Sequence, residues 1–253
     1  MKFLISITSY FDNKTVYINQ ILEQYDAIQS RLNVQIDVVL SCNYEFVHSK
    51  RRNINVILNN DAQHVGEVHA WSNFDYIVAN HKNYDYIIES DDDILITEDN
   101  IQQYIKLQNI CDDYIPGFIV YEMDQDQVVY PQSMHLKYPP FVEQQLTFAD
   151  QQYFVPKNVH SACYMIDQKR LSVLIDQNKF SKDRYTLGVY DVQCTARSLV
   201  YINGYTKVVS VNDIKKHLVH HLPNRYLSLN NDWFPRSGYK PLNYWMQTLF
   251  NHC

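Results

Sequence analysis

The chain of 253 residues carries a formal net charge of −6, with 46% hydrophobic and 20% charged residues. This supplies a core for one large α/β domain, or a domain with a smaller appendage, and the acid excess argues against capture of nucleic acid or of an anionic membrane. Cys42, Cys111, Cys163, Cys194 and Cys253 are scattered with no C-x-x-C pair, which disfavours a disulfide scaffold or zinc ribbon and suits a reducing compartment. The opening "MKFLISITSYFDNK" turns polar after about seven residues, too early for a signal-peptide core, and no apolar run approaches the ~20 residues of a membrane span. A cytoplasmic protein without a membrane span is expected. Its 21 tyrosines suit sugar or nucleobase faces, but tyrosines also fill cores.

Residues 2–10, "KFLISITSY", read as a buried first strand. Residues 13–32 place Val16, Ile18, Ile21, Leu22, Tyr25 and Ile28 near helical spacing. Strands are expected at 34–42, 54–60 and 84–90, with a helix at 67–81 carrying Ala70, Phe74, Ile77 and Val78 on one face. A helix at 98–111 begins with an acidic turn, as the helix dipole favours. This alternation predicts a βαβ arrangement with a mostly parallel sheet. After residue 115, "GFIVYEMD", "QVVYP", "HSACYMID" and "YTKVVSV" read as strands. "QKRLSVLIDQN" and "YDVQCTARSLVYIN" each read as a helix, and a short apolar helix lies near the end. No linker or repeat divides the chain, so two halves on one continuous sheet are expected.

"YDYIIESDDDILIT", residues 84–97, gathers Asp91, Asp92 and Asp93 where a strand should end. In a parallel sheet ligands settle at the carboxyl ends of strands, and alternation along an extended segment would face Asp91 and Asp93 one way and Asp92 the other. A Mn²⁺ or Mg²⁺ would relieve the repulsion and leave positions for a diphosphate. The competing reading is an acidic turn that caps the helix near Glu98.

The acidic element resembles that of glycosyltransferases of the GT-A fold, especially family 2-type and exostosin-like enzymes. The resemblance implies a Rossmann-like, mixed and mostly parallel central sheet flanked by helices, in a single domain over 1–253. Residues 1–115 would form the nucleotide-sugar-binding half and 116–253 the acceptor-binding and catalytic half. Asp93 matches the metal-binding aspartate, and Asp91 and Asp92 match carboxylates nearer the ribose and donor sugar, with Asp91 a second candidate ligand. "LISITSYFDNKTVYINQILEQ" is similar to the first strand, turn and helix, placing Thr8, Ser9 and Tyr10 beside the base. "NDAQHVGEVHAWSNFDYIVAN" resembles the loop and helix before the acidic motif, with Gly66, Trp71 and Asn73 at matching places. "GVYDVQCTARSLVYINGYTKVV" looks like the E-D-x-x-x-x-x-R segment and aligns Asp191, Arg197, Gly204 and Tyr205. Two departures stand out. The second strand ends "VVLSCNY", where only Asn43 offers a base contact, so UDP- and GDP-linked donors both stay open. The usual E-D pair is Tyr190-Asp191, leaving one carboxylate.

The resemblance implies sugar transfer from a nucleotide-diphosphate sugar to a hydroxyl of a glycan, lipid-linked sugar or protein. Asp191 would be the general base, which implies inversion, although an aspartate there also suits a helix N-terminus. His220 or His217, with His221 third, would complete the metal or diphosphate site. Lys240 and Arg236 are candidate phosphate contacts, and Arg197 is expected to pair with an aspartate. Tyr153, Tyr164, Trp71 and Trp233 can stack on sugar rings or fill the core, and His160 and Ser161 fall on the acceptor side. Rival readings are a retaining enzyme on the same fold, a sugar nucleotidyltransferase, and a non-catalytic sugar-nucleotide-binding protein. The nucleotidyltransferase would be expected to carry a glycine-rich phosphate loop, and "SITSYFDNK" has no glycine.

Overall fold

The computed structural model describes residues 1–9, 12–46, 54–59, 66–131, 142–182, 191–224 and 240–251. The chain separates into two compact units, one of Met1–Ile94 with His160–Tyr205, the other of Leu95–Val159 with Thr206–Cys253. The expected division at residue 115 is therefore replaced by an interleaved one, and Asp191 belongs to the unit that begins the chain. The described residues form three sheets instead of one continuous sheet. The expected α/β class holds.

In the first unit, with elements numbered in chain order, β1 (Lys2–Ser9) is buried from Phe3 onward. Helix α1 (Thr15–Leu32) follows a 3-10 turn at Asp12–Lys14. Its buried residues Ile18, Ile21, Leu22, Tyr25 and Ile28 recur at three- or four-residue intervals and form one apolar stripe. Val16, expected on that stripe, is 64% exposed in the first turn. Asn33 closes the helix at φ 50°, a left-handed conformation that asparagine tolerates, and its N–H donates to the Gln29 carbonyl.

Strand β2 (Gln35–Cys42) pairs in parallel with β1, and β3 (Asn55–Asn59) in parallel with β2. Strand β4 (Tyr86–Asp91) returns to the other side of β1, also parallel, setting Thr8 opposite Asp91. An antiparallel edge strand, β11 (Cys163–Asp167), completes the order β11-β4-β1-β2-β3. The chain thus winds one way from β1 through β2 to β3 and then reverses at β4. Such a reversal opens a crevice between the carboxyl ends of the two central strands, here the ends of β1 and β4.

Two helices are broken where the sequence pattern read as continuous. Residues 67–81 divide into a 3-10 turn, Gly66–Trp71, and α2 (Phe74–Asn80). At the break Asn73 is fully buried, and its amide donates to the carbonyls of Ile7 (2.9 Å) and Val39 (3.3 Å). A side chain committed to two strand backbones competes with the helical path. Residues 190–203 likewise hold α5 (Val192–Ala196) and α6 (Leu199–Ile202), with Arg197 and Ser198 between them. Helix α4 (Gln168–Asp176) follows β11 and is capped by Asp167, whose carboxylate accepts from the Arg170 N–H.

The chain passes between the units at a two-residue strand, β5 (Ile94–Leu95). In the second unit α3 (Glu98–Leu107) begins at a capping box formed by Thr97 and Asn100. Strands β6 (Tyr114–Pro116), β12 (Thr206–Ser210), β10 (Gln151–Pro156) and β9 (Val142–Phe148) make one sheet in that order. Strand β7 (Ile119–Met123) lies between parallel β13 (Leu218–His221) and antiparallel β8 (Val129–Pro131). A helix at Leu242–Asn251 follows. The β9–β10 hairpin has no counterpart among the expected elements. It turns through Ala149 (φ 46°) and Asp150 (φ 60°), neither of them the glycine that usually signals such a turn. No helix among the described residues is long and apolar enough to cross a membrane.

Buried polar groups pin this unit internally. His217 donates through Nδ1 to the Gly117 carbonyl (2.8 Å) and accepts at Nε2 from the Ser210 N–H (3.2 Å). Burial pushes its pKa down to about 4, against the Gly117 hydrogen bond that would raise it. The unfolded chain therefore binds the proton more readily than the folded one between about pH 4 and 6.5. Stability should fall as pH drops through that window, by up to about 3 kcal/mol from this histidine. Urea denaturation from pH 7 to pH 4.5 should show a shallower loss for His217→Gln than for wild type, and parallel curves would contradict the assignment.

Candidate functional site

The acidic turn stands at the switch point between β1 and β4, and its three carboxylates are divided between two cations. Along β4 the alternation of side chains brings Glu89 and Asp91 to one face, and both meet Arg197. The guanidinium donates through Nε to Asp91 Oδ1 (2.8 Å) and through its terminal nitrogens to Glu89, Thr8 Oγ1 and the Ala70 carbonyl. Tyr164 donates to the other oxygen of Glu89. Arg197 has no solvent exposure. Burial works to lower its pKa, but Asp91 and Glu89 outweigh that effect and raise it. Burial pushes both carboxyls up while Arg197 pulls them back.

Past Asp91 the strand ends and alternation with it. Asp92 and Asp93 therefore do not face opposite ways as a continued strand would require; both approach Lys14. Its ammonium lies 2.5 Å from Asp93 Oδ2 and 3.9 Å from Asp92 Oδ1. Asp92 also accepts from the Ser9 hydroxyl at 2.5 Å, and Ser9 in turn lies 2.9 Å from the Tyr44 hydroxyl. Burial first, then the charge of Asp93, pushes the Asp92 carboxyl up to about 7. Burial also acts to lower the Lys14 pKa, yet Asp93 and Asp92 leave it raised.

The start of α5 is tied to this turn. Gln193 donates to Asp91 Oδ2 (3.4 Å), and the Trp71 indole N–H donates to the Val192 carbonyl (3.1 Å). Asp191 caps α5, accepting the Cys194 N–H at 2.7 Å, and is itself exposed. Cap and catalytic carboxylate are compatible roles for one side chain.

The expected cation ligands do not fit a divalent ion as the sequence suggested. Asp91 is paired with Arg197, Asp93 is held by Lys14, and His217 uses both ring nitrogens on backbone groups of its own unit. His220 stacks on Tyr121 and meets Asn224 Oδ1 at 3.1 Å, and His221 Nδ1 lies 2.5 Å from buried Glu122. No group of three or more His, Cys, Asp or Glu residues suited to a metal ion occurs among the described residues.

Several other expected contacts are also core. Asn73 and Thr8 are buried, with Asn73 bonded to strand backbones and Thr8 to Arg197, so neither presents its polar group to a nucleotide. Trp71, Tyr153 and Tyr164 are buried, as their alternative reading held. Ser161 is buried and donates to the Cys163 carbonyl, while His160 meets Cys194 (3.5 Å) and Ser198 (3.3 Å). Asn43 is exposed just beyond β2. Gly66 opens a 3-10 turn, and exposed Lys240 lies 5.8 Å from the Tyr244 ring centroid. A Cβ on Gly204 would meet Leu174 at 2.6 Å, and the Tyr205 hydroxyl donates to the Arg170 carbonyl. Tyr10, Tyr190, Trp233 and Arg236 lie outside the described residues. Lys14 and Glu89 were missed. Glu89 is an acid inside an apolar strand, a pattern that demands a buried cation. Lys14 is the cation of the turn between the first strand and the first helix, where only a glycine-rich loop was sought.

Removing Arg197 strands the buried Glu89 and the mostly buried Asp91, a change that costs about 3–5 kcal/mol. Arg197→Met should lower the urea-derived unfolding free energy by that amount. Arg197→Lys should recover little of it, because an ammonium cannot fork to both acids. A variant as stable as wild type would refute the role given to the ion pairs.

No protein-family model matches the sequence, and no curated protein matches it significantly. Similar solved structures include S. aureus TarS 1–349, at 13% identity and TM-score 0.49, over 89% of this chain and 62% of that one. The same fragment in complex with UDP-GlcNAc gives 14% identity and TM-score 0.44, over 83% and 56%. S. aureus TarS gives 13% and 0.48, over 83% and 35%. The chain thus spans less than two thirds of the length of each of these structures.

Proposed function

We propose that the protein is a glycosyltransferase that moves a sugar from a UDP- or GDP-linked donor to a hydroxyl of a glycan, lipid-linked sugar or protein. The observation that carries this reading is the convergence at the β1–β4 crevice. There Ser9, Asp92, Asp93 and Lys14 gather at the strand ends, beside an α5 start tethered to Asp91. A sheet rim with hydroxyl, carboxylate and ammonium groups suits a polar, anionic ligand such as a nucleoside diphosphate sugar. The ordered motifs that resemble GT-A enzymes support the same reading.

The chemistry asked of this chain is the activation of an acceptor hydroxyl and the departure of a nucleoside diphosphate. Asp191 is exposed at the head of α5 and is the group proposed to take the hydroxyl proton as the acceptor oxygen bonds to the anomeric carbon. The glycosidic bond to the diphosphate breaks from the opposite face, so the configuration inverts. The buried ion pairs of Arg197 hold Asp91, and through Gln193 the start of α5, in one arrangement, which serves the orientation this step needs.

Asp191→Asn separates the base from the cap, because asparagine caps a helix about as well as aspartate but does not take a proton. The variant should bind the nucleotide sugar with unchanged affinity by calorimetry and lose transfer by ~10²–10⁴-fold. Surviving transfer would move the base elsewhere or point to retention. Failure of every UDP- and GDP-sugar to bind wild type would overturn the proposed function itself.

A further inference from the structure

Lys14 is placed unlike a surface lysine. The 3-10 turn Asp12–Lys14 carries it from the end of β1 toward the end of β4, and its side chain is 24% exposed. Asp92 and Asp93, each with a side chain 12% exposed, share its ammonium, and the Tyr17 ring lies 5.5 Å away. Two adjacent, mostly buried carboxylates stay ionised together only beside positive charge. A divalent ion would be one source, and here the chain provides its own. An ammonium has three N–H donors, and Asp93 takes one at 2.5 Å. The partly exposed remainder stands at the rim where the strands end.

Resting on the function proposed above, we propose that Lys14 is the built-in cation of the donor site. It occupies the place of a divalent ion between Asp92 and Asp93 and gives its remaining donors to the diphosphate, so that a nucleoside diphosphate binds without Mn²⁺ or Mg²⁺. Lysine is a common phosphate partner of this kind, acting as a compact charge. The ammonium also keeps free ions out of the carboxylate pair, because an entering cation would have to displace it.

Two readouts test this on the full chain. The first is Mn²⁺ alone, followed by the electron paramagnetic resonance signal of the free ion. Wild type should leave that signal unchanged, whereas Lys14→Met, with the carboxylates vacated, should quench it. Quenching by wild type, or none by a folded Lys14→Met, overturns the inference whatever the fate of the proposed activity. The second is calorimetry with UDP and GDP in excess EDTA and in excess Mn²⁺. Affinity should agree within about threefold between the two conditions, fall at least roughly tenfold in Lys14→Met in EDTA, and persist in Lys14→Arg. Binding that requires Mn²⁺ in wild type overturns the inference while leaving the proposed function standing. No binding of either nucleotide under any condition overturns the proposed function and the diphosphate role together, and the Mn²⁺ readout still decides the cation role. If Lys14→Met fails to fold, Lys14→Gln serves in both measurements.

Discussion

A guanidinium with no access to water is stable in a protein only where carboxylates and carbonyls replace its hydration, and Arg197 has both. Its partners come from the end of β1 (Thr8), the end of β4 (Glu89 and Asp91) and the 3-10 turn before α2 (Ala70). One side chain thus fixes how three segments meet, and the geometry of the crevice follows from it. Asp91 pairs with Arg197, and beyond it the strand stops, so the next two residues turn together toward Lys14. Without Arg197, the three acids would share one patch with a single lysine.

The division of charge also gives the site its chemical character. Four acids, Glu89 and Asp91 to Asp93, meet two cations, one set on Arg197 and the other on Lys14. The first set is held by Arg197 and Tyr164 and acts as a frame. The second set, with Lys14 and Ser9, is mostly buried too, and burial first, then the charge of Asp93, pushes the Asp92 carboxyl up to about 7. A frame that is rigid and a rim that is polar suit a site that must orient an anionic donor.

Much of the first unit was legible because its physics is local. β1, β2 and β4 are apolar runs buried along most of their length, and α1 shows its stripe at helical spacing. What was illegible depended on distant partners. Nothing around Asn73 announces that its amide will bond to Ile7 and Val39, yet that bond breaks the expected helix. The helix expected through Arg197 divides at a residue whose four partners all lie 106 to 189 positions away. The β9–β10 hairpin escaped because its strands are rich in glutamine and its turn lacks glycine or asparagine. The acidic motif itself was visible. Its sorting into an Asp91 on Arg197 and a pair on Lys14 was not, since alternation was extended past the point where the strand stops.

The three histidines of "KKHLVHH" teach a related lesson about chemistry read from residue type. Imidazoles at close spacing suggest a ligand set, but His217 is a neutral core group between two backbone partners, and His221 lies against Glu122. The proposed donor site requires that a nucleoside diphosphate meet Lys14 at the carboxyl ends of β1 and β4. A crystal structure of the protein grown with UDP or GDP and Mn²⁺ tests it most directly, with anomalous scattering to locate the ion. The diphosphate should lie within hydrogen-bonding distance of the Lys14 ammonium, with no Mn²⁺ between Asp92 and Asp93. A manganese ion seated between those carboxylates with Lys14 turned away, or a nucleotide bound elsewhere, would contradict it.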